Sequence, residues 1–376
     1  MGQSKASKIP VLIASSLKPL KDTRAWEKLG NSLRESNKYT LNIIGFSSKI
    51  EESIAEVRFF PSLSNRYSTW ERFFSQFRFL KTLVQTRPKI LIVCTYEYLA
   101  SAALLKVILG YKLIYDVQEN YVLNLKLNPD LSNYQRSNAL RIIQNLESIK
   151  GVDCYFLAEA CYVPQMPEKK PFLILENKFA GNIVTGSRLD YSEKRAFQFL
   201  ISGTITPAFG TIQGIQFFKQ IQQIFPNSRL IIIGHTPLHS FRKKLEMEVG
   251  SHPGIELKIT DTPVDHEEIV KEIIAADFCL LPYQSHEAIS SKMPTKLFEA
   301  MALHTPVLIS PNEKWKAFID QYQGGTQLDF DSMDVAIAQF LAAIKNPFFI
   351  NQPGEEVLWS SQEGQMLSCL EQLLSF

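Results

Sequence analysis

The sequence lacks the features that mark several protein classes. Its five cysteines are scattered, with no CxxC or Cys/His cluster, which argues against a disulfide framework and a zinc site. No run approaches about 20 consecutive apolar residues, so no membrane-spanning helix is expected. The N-terminal segment has no apolar stretch typical of a secretory signal. These absences predict a cytoplasmic protein.

The net charge and the length of the chain restrict the class of protein further. The formal net charge of +2 is too small to indicate a nucleic-acid partner. A hydrophobic content of 45% and a charged content of 21% are typical of a globular protein. Because 376 residues are too many for one ordinary core, we expect two domains of similar size.

Short apolar runs alternate with amphipathic segments along most of the chain. Apolar runs bounded by helices on both sides indicate parallel sheets buried on both faces. The alternation is interrupted by a cluster of prolines around residues 164–171. The prediction is an α/β protein of the GT-B type, with two Rossmann-like, doubly wound parallel-sheet domains facing each other across a cleft. We place them at residues 1–170 and 171–350, and we expect a C-terminal helix in residues 351–376 to pack on the first domain.

The segment from Ser290 to Ala302 contains a polar loop that runs into a helix. Lys296 and Glu299 lie three residues apart and therefore share one helical face. A helix N-terminus beside lysines attracts anions, because its free N–H groups and its dipole both point outward. A carboxylate one turn further can accept hydrogen bonds from vicinal hydroxyls, so the pattern predicts a site for phosphate and ribose. A capped helix with a solvated Lys/Glu pair is the alternative.

Other segments of the second half follow strands and should meet the same site, because ligands of open parallel sheets bind beyond the carboxyl ends of the strands. These pieces are Ile201-Ser-Gly-Thr204, Leu230-Ile-Ile-Ile-Gly-His235, Ala276-Asp-Phe-Cys-Leu-Leu-Pro-Tyr283 and Pro294-Thr-Lys-Leu-Phe-Glu-Ala-Met-Ala302. In their order and spacing they resemble the donor domain of retaining GT-B glycosyltransferases of the family-4 type, the glycosyl transferases group 1. The first half adds Ser15-Ser-Leu-Lys-Pro-Leu-Lys-Asp-Thr-Arg24 and Leu113-Ile-Tyr-Asp-Val-Gln-Glu-Asn-Tyr121. The resemblance covers about residues 9 to 345.

This resemblance implies transfer of a sugar from a nucleotide diphosphate sugar to a glycan or lipid-linked acceptor. It also implies retention of configuration, no bound metal and no cofactor besides the donor. Glu299 matches the carboxylate that holds the ribose hydroxyls, and the backbone of Thr295 and Lys296 would receive the diphosphate. The donor-binding candidates are Gly203, Thr204, His235, Tyr283, Lys292, Pro294, Thr295, Lys296, Leu297 and Glu299. A sugar-nucleotide epimerase of the same fold, or a catalytically silent sugar-nucleotide-binding protein, is the alternative.

The sequence departs from the family pattern at two places. The family commonly has another glutamate eight positions before Glu299, where this chain has Ser291. It also commonly has an arginine and a lysine in the loop after the first donor-domain strand, and the loop 203–210 has neither. Lys292 and Lys296 could supply the missing positive charge. If they do not, diphosphate binding weakens or the protein is inactive.

The first half supplies candidates for catalysis and acceptor binding. Asp116 and Glu119 follow an apolar run, and a carboxylate there could stabilise positive charge on the reacting sugar. Both could equally be loop acids that cap the next segment. Asp22 and Arg24 are candidates for binding the acceptor, and an acidic N-cap beside a surface arginine is the alternative.

The segment from Trp70 to Val84 places aromatic residues at helical spacing among basic residues. One interpretation is an interfacial helix that makes a peripheral contact with the inner face of a membrane, which would suit a lipid-linked acceptor. The alternative is a helix that packs on its own sheet and turns a basic face outward. The sequence favours the second interpretation.

Overall fold

A computed structural model of the protein describes residues 8–47, 54, 56–63, 69–127 and 131–375. The chain divides into two compact units. The first comprises Met1–Ala180 and Trp359–Phe376, and the second comprises Gly181–Leu358. The boundary expected at residues 170 and 171 precedes the last strand of the first sheet.

The first unit is built on one parallel sheet in the order β3-β2-β1-β4-β5-β6-β7. Its strands are β1 Ile9–Pro19, β2 Tyr39–Phe46, β3 Val57–Pro61, β4 Ile90–Val93, β5 Lys112–Val117, β6 Cys154–Leu157 and β7 Phe172–Ile174. Its α-helices are Asn31–Glu35, Thr69–Thr86, Leu99–Leu109, Tyr121–Asn124, Asn133–Glu147, Tyr162–Gln165 and Ser360–Ser375, with a π-helical stretch at Thr23–Gly30 and 3₁₀ turns at Tyr96–Tyr98 and Leu125–Leu127.

Alternation of side chains along the strands explains why this sheet is buried on both faces. In β1, Val11 and Ile13 enter one core, whereas Leu12 and Ala14 enter the other. The C-terminal helix Ser360–Ser375 belongs to the first of these cores, because its Met366 and Leu370 pack with Val11 and Ile13.

The second unit has a six-stranded parallel sheet in the order β10-β9-β8-β11-β12-β13. Its strands are β8 Gln198–Thr204, β9 Arg229–His235, β10 Ile255–Thr260, β11 Phe278–Leu281, β12 Val307–Ile309 and β13 Gly325–Gln327. Its α-helices are Thr211–Ile224, His239–Val249, His266–Ala275, Glu287–Ser290, Thr295–Ala302, Glu313–Asp320 and Met333–Ala343, with 3₁₀ turns at Pro207–Phe209 and Glu355–Val357. Each sheet places its first six strands in the order 3-2-1-4-5-6 of doubly wound folds, which confirms the predicted fold class.

Two details of the secondary structure have local causes. The helix Asn133–Glu147 begins where it does because Ser132 and Gln135 form a reciprocal capping box. β7 and β13 have three residues each, which is too short for a period to show in the sequence. Among the described residues, no helix combines the length and the apolar character needed to cross a membrane.

Candidate active site

The loops at the carboxyl ends of β8, β9 and β11 are held together by close backbone contacts. A Cβ atom at Gly234 would lie 1.8 Å from the carbonyl oxygen of Gly203. A Cβ atom at Gly210 would lie 1.6 Å from the carbonyl oxygen of Pro282. Only glycine permits such close approaches. They bring the loops that follow the three strands into contact with one another.

The helix Thr295–Ala302, named here the motif helix, begins beside these loops. Pro294 is its N-cap residue rather than part of its first turn, and the proline side chain makes no capping hydrogen bond. The first N–H groups of a helix have no partner within it, so this end presents donors and a partial positive charge. Leu297, predicted to bind donor, is fully buried, and its side chain therefore anchors the helix in the core.

Lys296 brings a positive charge to the loop that follows β8. Its ammonium group donates a hydrogen bond of 3.1 Å to the Tyr283 hydroxyl. It also lies 5.7 Å from the ring centroid of Phe209 and 5.5 Å from that of Tyr283. A Cβ atom at Gly203 would lie 2.9 Å from Lys296 Cε and 3.2 Å from its Nζ. The absence of a side chain at Gly203 therefore makes room for the lysine beside the loop that lacks an arginine.

Glu299 lies one turn further along the motif helix and is buried. Its Oε1 is 2.9 Å from Nε2 of His266, the first residue of the helix His266–Ala275. The sequence analysis did not include this histidine among the candidate site residues. The two residues are 33 positions apart, and nothing local signals their contact. The histidine holds the carboxylate in one orientation, one turn along the motif helix.

The remaining donor-binding candidates lie around these residues. Thr204 and His235 are half-buried and end the neighbouring strands β8 and β9, where they pair in register. Thr295 is the first residue of the motif helix. The carbonyl of Lys292 accepts a 2.7 Å hydrogen bond from the indole of Trp315, which orients the loop before the motif helix. Gly203, Tyr283 and Lys296 are in direct proximity.

Arg24 and Asp116 form a buried ion pair in the first unit. Arg24 Nε lies 2.9 Å from both carboxylate oxygens of Asp116, and Nη2 lies 2.6 Å from Oδ1. Its Nη1 donates to the carbonyl of Leu175 at 2.8 Å and to Oδ1 of Asn177 at 2.9 Å. Burial alone would lower the pKa of Arg24, but the adjacent Asp116 carboxylate outweighs it and the pKa is raised. The arginine is therefore not at the surface, contrary to the alternative considered for it.

Glu119 is the more accessible of the two carboxylates predicted for catalysis. It is half-buried, and its Oε2 accepts a hydrogen bond from the Asn124 amide. Lys18 is nearby: burial opposes its charge, yet the carboxylates of Asp22 and Glu119 keep its pKa raised.

Asp22 caps the start of Thr23–Gly30. Its Oδ1 accepts from the backbone N–H groups of Arg24 at 3.0 Å and Ala25 at 3.1 Å. The acidic N-cap considered for it is therefore present in the structure. Among the residues that the structure describes, no group of three His, Cys, Asp or Glu side chains is placed to hold a metal ion.

Comparison with known proteins places this geometry in a wider context. Residues 196–345 match the family model described as glycosyl transferases group 1. The chain is similar to sucrose-phosphate synthase from Thermosynechococcus elongatus, at 13% identity and a TM-score of 0.71 over 98% of this chain and 100% of that one. It is similar to Anabaena HepE in complex with UDP-glucose, at 13% identity and a TM-score of 0.59 over 97% and 100%. A comparison with curated protein sequences gave no significant match.

A third similar structure is a Listeria monocytogenes protein assigned by name as a UDP-N-acetylglucosamine 2-epimerase. It is 13% identical, with a TM-score of 0.56 over 90% of this chain and 89% of that one. At these identities the structural likeness establishes a shared fold, and it leaves the reaction to be argued from the site.

Proposed function

Because residues 196–345 match the family model of glycosyl transferases group 1, we propose that the chain is a glycosyltransferase of this group and that it takes its sugar from a nucleotide diphosphate sugar. The acceptor is a glycan or a lipid-linked sugar, the configuration at the anomeric carbon is retained, and no bound metal takes part. The observation that carries the proposal is the placement of Lys296 and Glu299 on one face of the motif helix, with the lysine beside the Gly203 loop.

The diphosphate binds at the N-terminus of the motif helix. Negative charge develops on this group as the glycosyl–phosphate bond breaks and the bonding electron pair passes to the phosphate oxygen. Fixed donors around that charge lower the barrier, because they need no reorganisation during the reaction. The N–H groups of Thr295 and Lys296, together with the ammonium of Lys296, supply such donors. Lys292 adds a second positive charge on the adjoining loop.

The ribose binds at the Glu299 carboxylate. A carboxylate accepts hydrogen bonds from two vicinal hydroxyls at once, and such bonds are stronger than neutral ones. His266, at 2.9 Å, positions the carboxylate for this contact. The bound UDP-glucose of HepE is the kind of donor that this arrangement of phosphate and ribose contacts suits.

The first unit contributes Glu119 as the candidate catalytic carboxylate. Positive character on the reacting sugar is stabilised by a nearby carboxylate, as in glycosidases. Glu119 is partly accessible, whereas Asp116 is buried and paired with Arg24. Asp116 and Arg24 therefore act by holding the loops around Glu119 and Asp22, and acceptor binding falls to Asp22.

Two alternative functions differ from this proposal in the turnover that they predict. Ser291 and the uncharged loop after β8 favour a silent binding protein, because they reduce the charge available to the diphosphate. The likeness to the Listeria epimerase favours a donor-isomerising enzyme of the same fold. Each predicts nucleotide binding, and they differ in turnover.

The test combines binding with turnover. Calorimetry with UDP, GDP and ADP should give binding to at least one nucleotide, and binding by none would reject every nucleotide-based function. Donor turnover is then followed with and without candidate acceptors. Transfer that requires an acceptor supports the proposal, isomerisation without an acceptor supports the epimerase, and binding without turnover supports the silent protein. The anomeric coupling constant in the proton spectrum of the product tests retention.

A further inference from the structure

The helix Thr69–Thr86, named here the aromatic helix, has two apolar faces. Phe79 and Leu83 are fully buried against the first sheet, and the Phe79 ring stacks on Tyr98 at 4.2 Å between centroids. The aromatic side chains on the other face point to solvent. Their exposed fractions are 74% for Trp70, 57% for Phe73, 48% for Phe74 and 55% for Phe77. Packing on its own sheet accounts for Phe79 but not for the exposed aromatic residues of this helix.

The exposed rings form one continuous stripe, named here the aromatic stripe. Positions 70, 73, 74 and 77 follow the three- and four-residue spacing of one helical face. The Phe73 ring lies 5.8 Å from the Phe74 ring and 5.4 Å from the Phe77 ring, centroid to centroid. Through these contacts the rings form one apolar surface that is exposed to water. Large exposed apolar surfaces mark interaction sites.

The next helix extends this surface. Gln76 of the aromatic helix donates to the carbonyl of Glu97 at 3.0 Å and accepts from the Ser101 hydroxyl at 3.0 Å, so the helix Leu99–Leu109 lies alongside. That helix also exposes apolar side chains: Leu104, Val107 and Ile108. Two adjacent helices thus present apolar side chains to solvent on the same side of the first sheet.

The charges around the aromatic stripe are mainly positive. The aromatic helix contains Arg72, Arg78 and Lys81 but a single acid, Glu71. Glu71 is bonded to Arg78 at 2.7 Å, so its charge is balanced. Lys81 is exposed on the same helical face as the stripe, four residues after Phe77, and Arg72 is exposed on another side of the helix. On the neighbouring helix, Lys106 adds a positive charge, which Asp153 balances at 2.7 Å. The charge that complements this surface is therefore negative.

We propose that the aromatic stripe docks on the surface of an anionic lipid bilayer. An exposed helix with tryptophan and phenylalanine on one face and an excess of arginine and lysine over acidic residues has the composition of helices that lie in the interface of a membrane. The rings enter the headgroup region while the basic side chains reach the lipid phosphates. The surface belongs to the first unit alone, and the proposal does not depend on sugar transfer.

Trp70 reports directly on this docking. Trp315 and Trp359 are buried and Trp26 is half-buried, so Trp70 is the tryptophan whose surroundings change most on contact with lipid. Full-length protein is mixed with phosphatidylcholine vesicles that contain or lack phosphatidylglycerol. We expect a blue shift of the emission, quenching by brominated lipid and co-sedimentation, each with the anionic vesicles. The variant Trp70→Phe should still sediment but lose most of the shift.

Variants separate the apolar and the electrostatic contributions. Phe73→Ser and Phe77→Ser should each weaken binding to anionic vesicles about tenfold. Each substitution removes a ring that the bilayer would bury. Lys81→Gln should weaken it about fivefold, and Arg72→Gln, on another side of the helix, should weaken it less. The matched control is Met247→Ser, which removes a side chain 76% exposed in the second unit and should leave binding unchanged.

Three results would overturn the proposal. The first is a wild-type protein that neither shifts its emission nor sediments with anionic vesicles. The second is a concentration-dependent dimer, seen by analytical ultracentrifugation, that Phe73→Ser dissociates, since a second copy would then cover the stripe. The third is an equal loss of vesicle binding in Met247→Ser. Circular dichroism of every variant establishes that the fold is intact, and UDP binding should be the same in all of them.

Discussion

Replacing Lys296 by methionine tests the assignment of the diphosphate site. Methionine keeps the length and the apolar contact of the side chain with Phe209 and Tyr283, but it removes the ammonium group. In the structure that group lies beside the Gly203 loop and is hydrogen-bonded to a tyrosine hydroxyl rather than to a carboxylate. Its charge is therefore available to a bound anion without breaking an ion pair at this contact.

The size of the effect follows from the lost charge-assisted hydrogen bond. Such bonds contribute about 1.5–3 kcal/mol, so the Kd for UDP should rise roughly 10- to 150-fold. Uridine lacks the diphosphate and should bind the variant as it binds the wild type. Calorimetry with both ligands measures the difference. The control is Lys316→Met, which removes an exposed lysine paired with Asp320 on another helix of the same unit.

Two outcomes would refute the reasoning about Lys296. Unchanged UDP affinity in a folded variant would mean that the ammonium does not reach the diphosphate. An equal loss for UDP and uridine would mean that the substitution disturbs the site as a whole. If calorimetry selects GDP or ADP instead of UDP, the same comparison is made with guanosine or adenosine.

Three further predictions follow from the other buried groups. Glu299→Gln should weaken UDP and uridine alike by about tenfold or more, and His266→Gln should do so to a smaller extent, because both act at the ribose; calorimetry showing a loss for UDP alone would contradict this. Asp116→Asn should lower the free energy of unfolding by about 3–5 kcal/mol, since Arg24 is left buried without its partner, and urea unfolding that shows almost no change would disprove it. Burial raises the pKa of the Cys279 thiol to about 12, so this thiol stays protonated at neutral pH, and mass spectrometry should find it unmodified after treatment of the native protein with iodoacetamide.

The local order of the chain determined much of the architecture. Strands such as β4 consist of apolar residues only, and the segments between them have helical spacing, so a parallel sheet covered on both faces was predictable. The motif helix was also readable from its own residues, because a helix start with a lysine and a glutamate three apart is a local pattern. By contrast, β7 and β13 have three residues each and are too short for a period to be visible in the sequence.

Contacts between distant positions were decided only by the tertiary structure. The His266–Glu299 contact, the room that Gly203 leaves for Lys296 and the burial of Arg24 against Asp116 each join residues far apart in the sequence. The exposure of Trp70 and Phe73 belongs with them, since the sequence favoured a basic outer face for this helix. A repeat of apolar residues shows that a helix has an apolar face, but which face meets the sheet depends on how the helix docks against other elements. That docking minimises the free energy of the whole packed unit, and a single segment of sequence does not contain it.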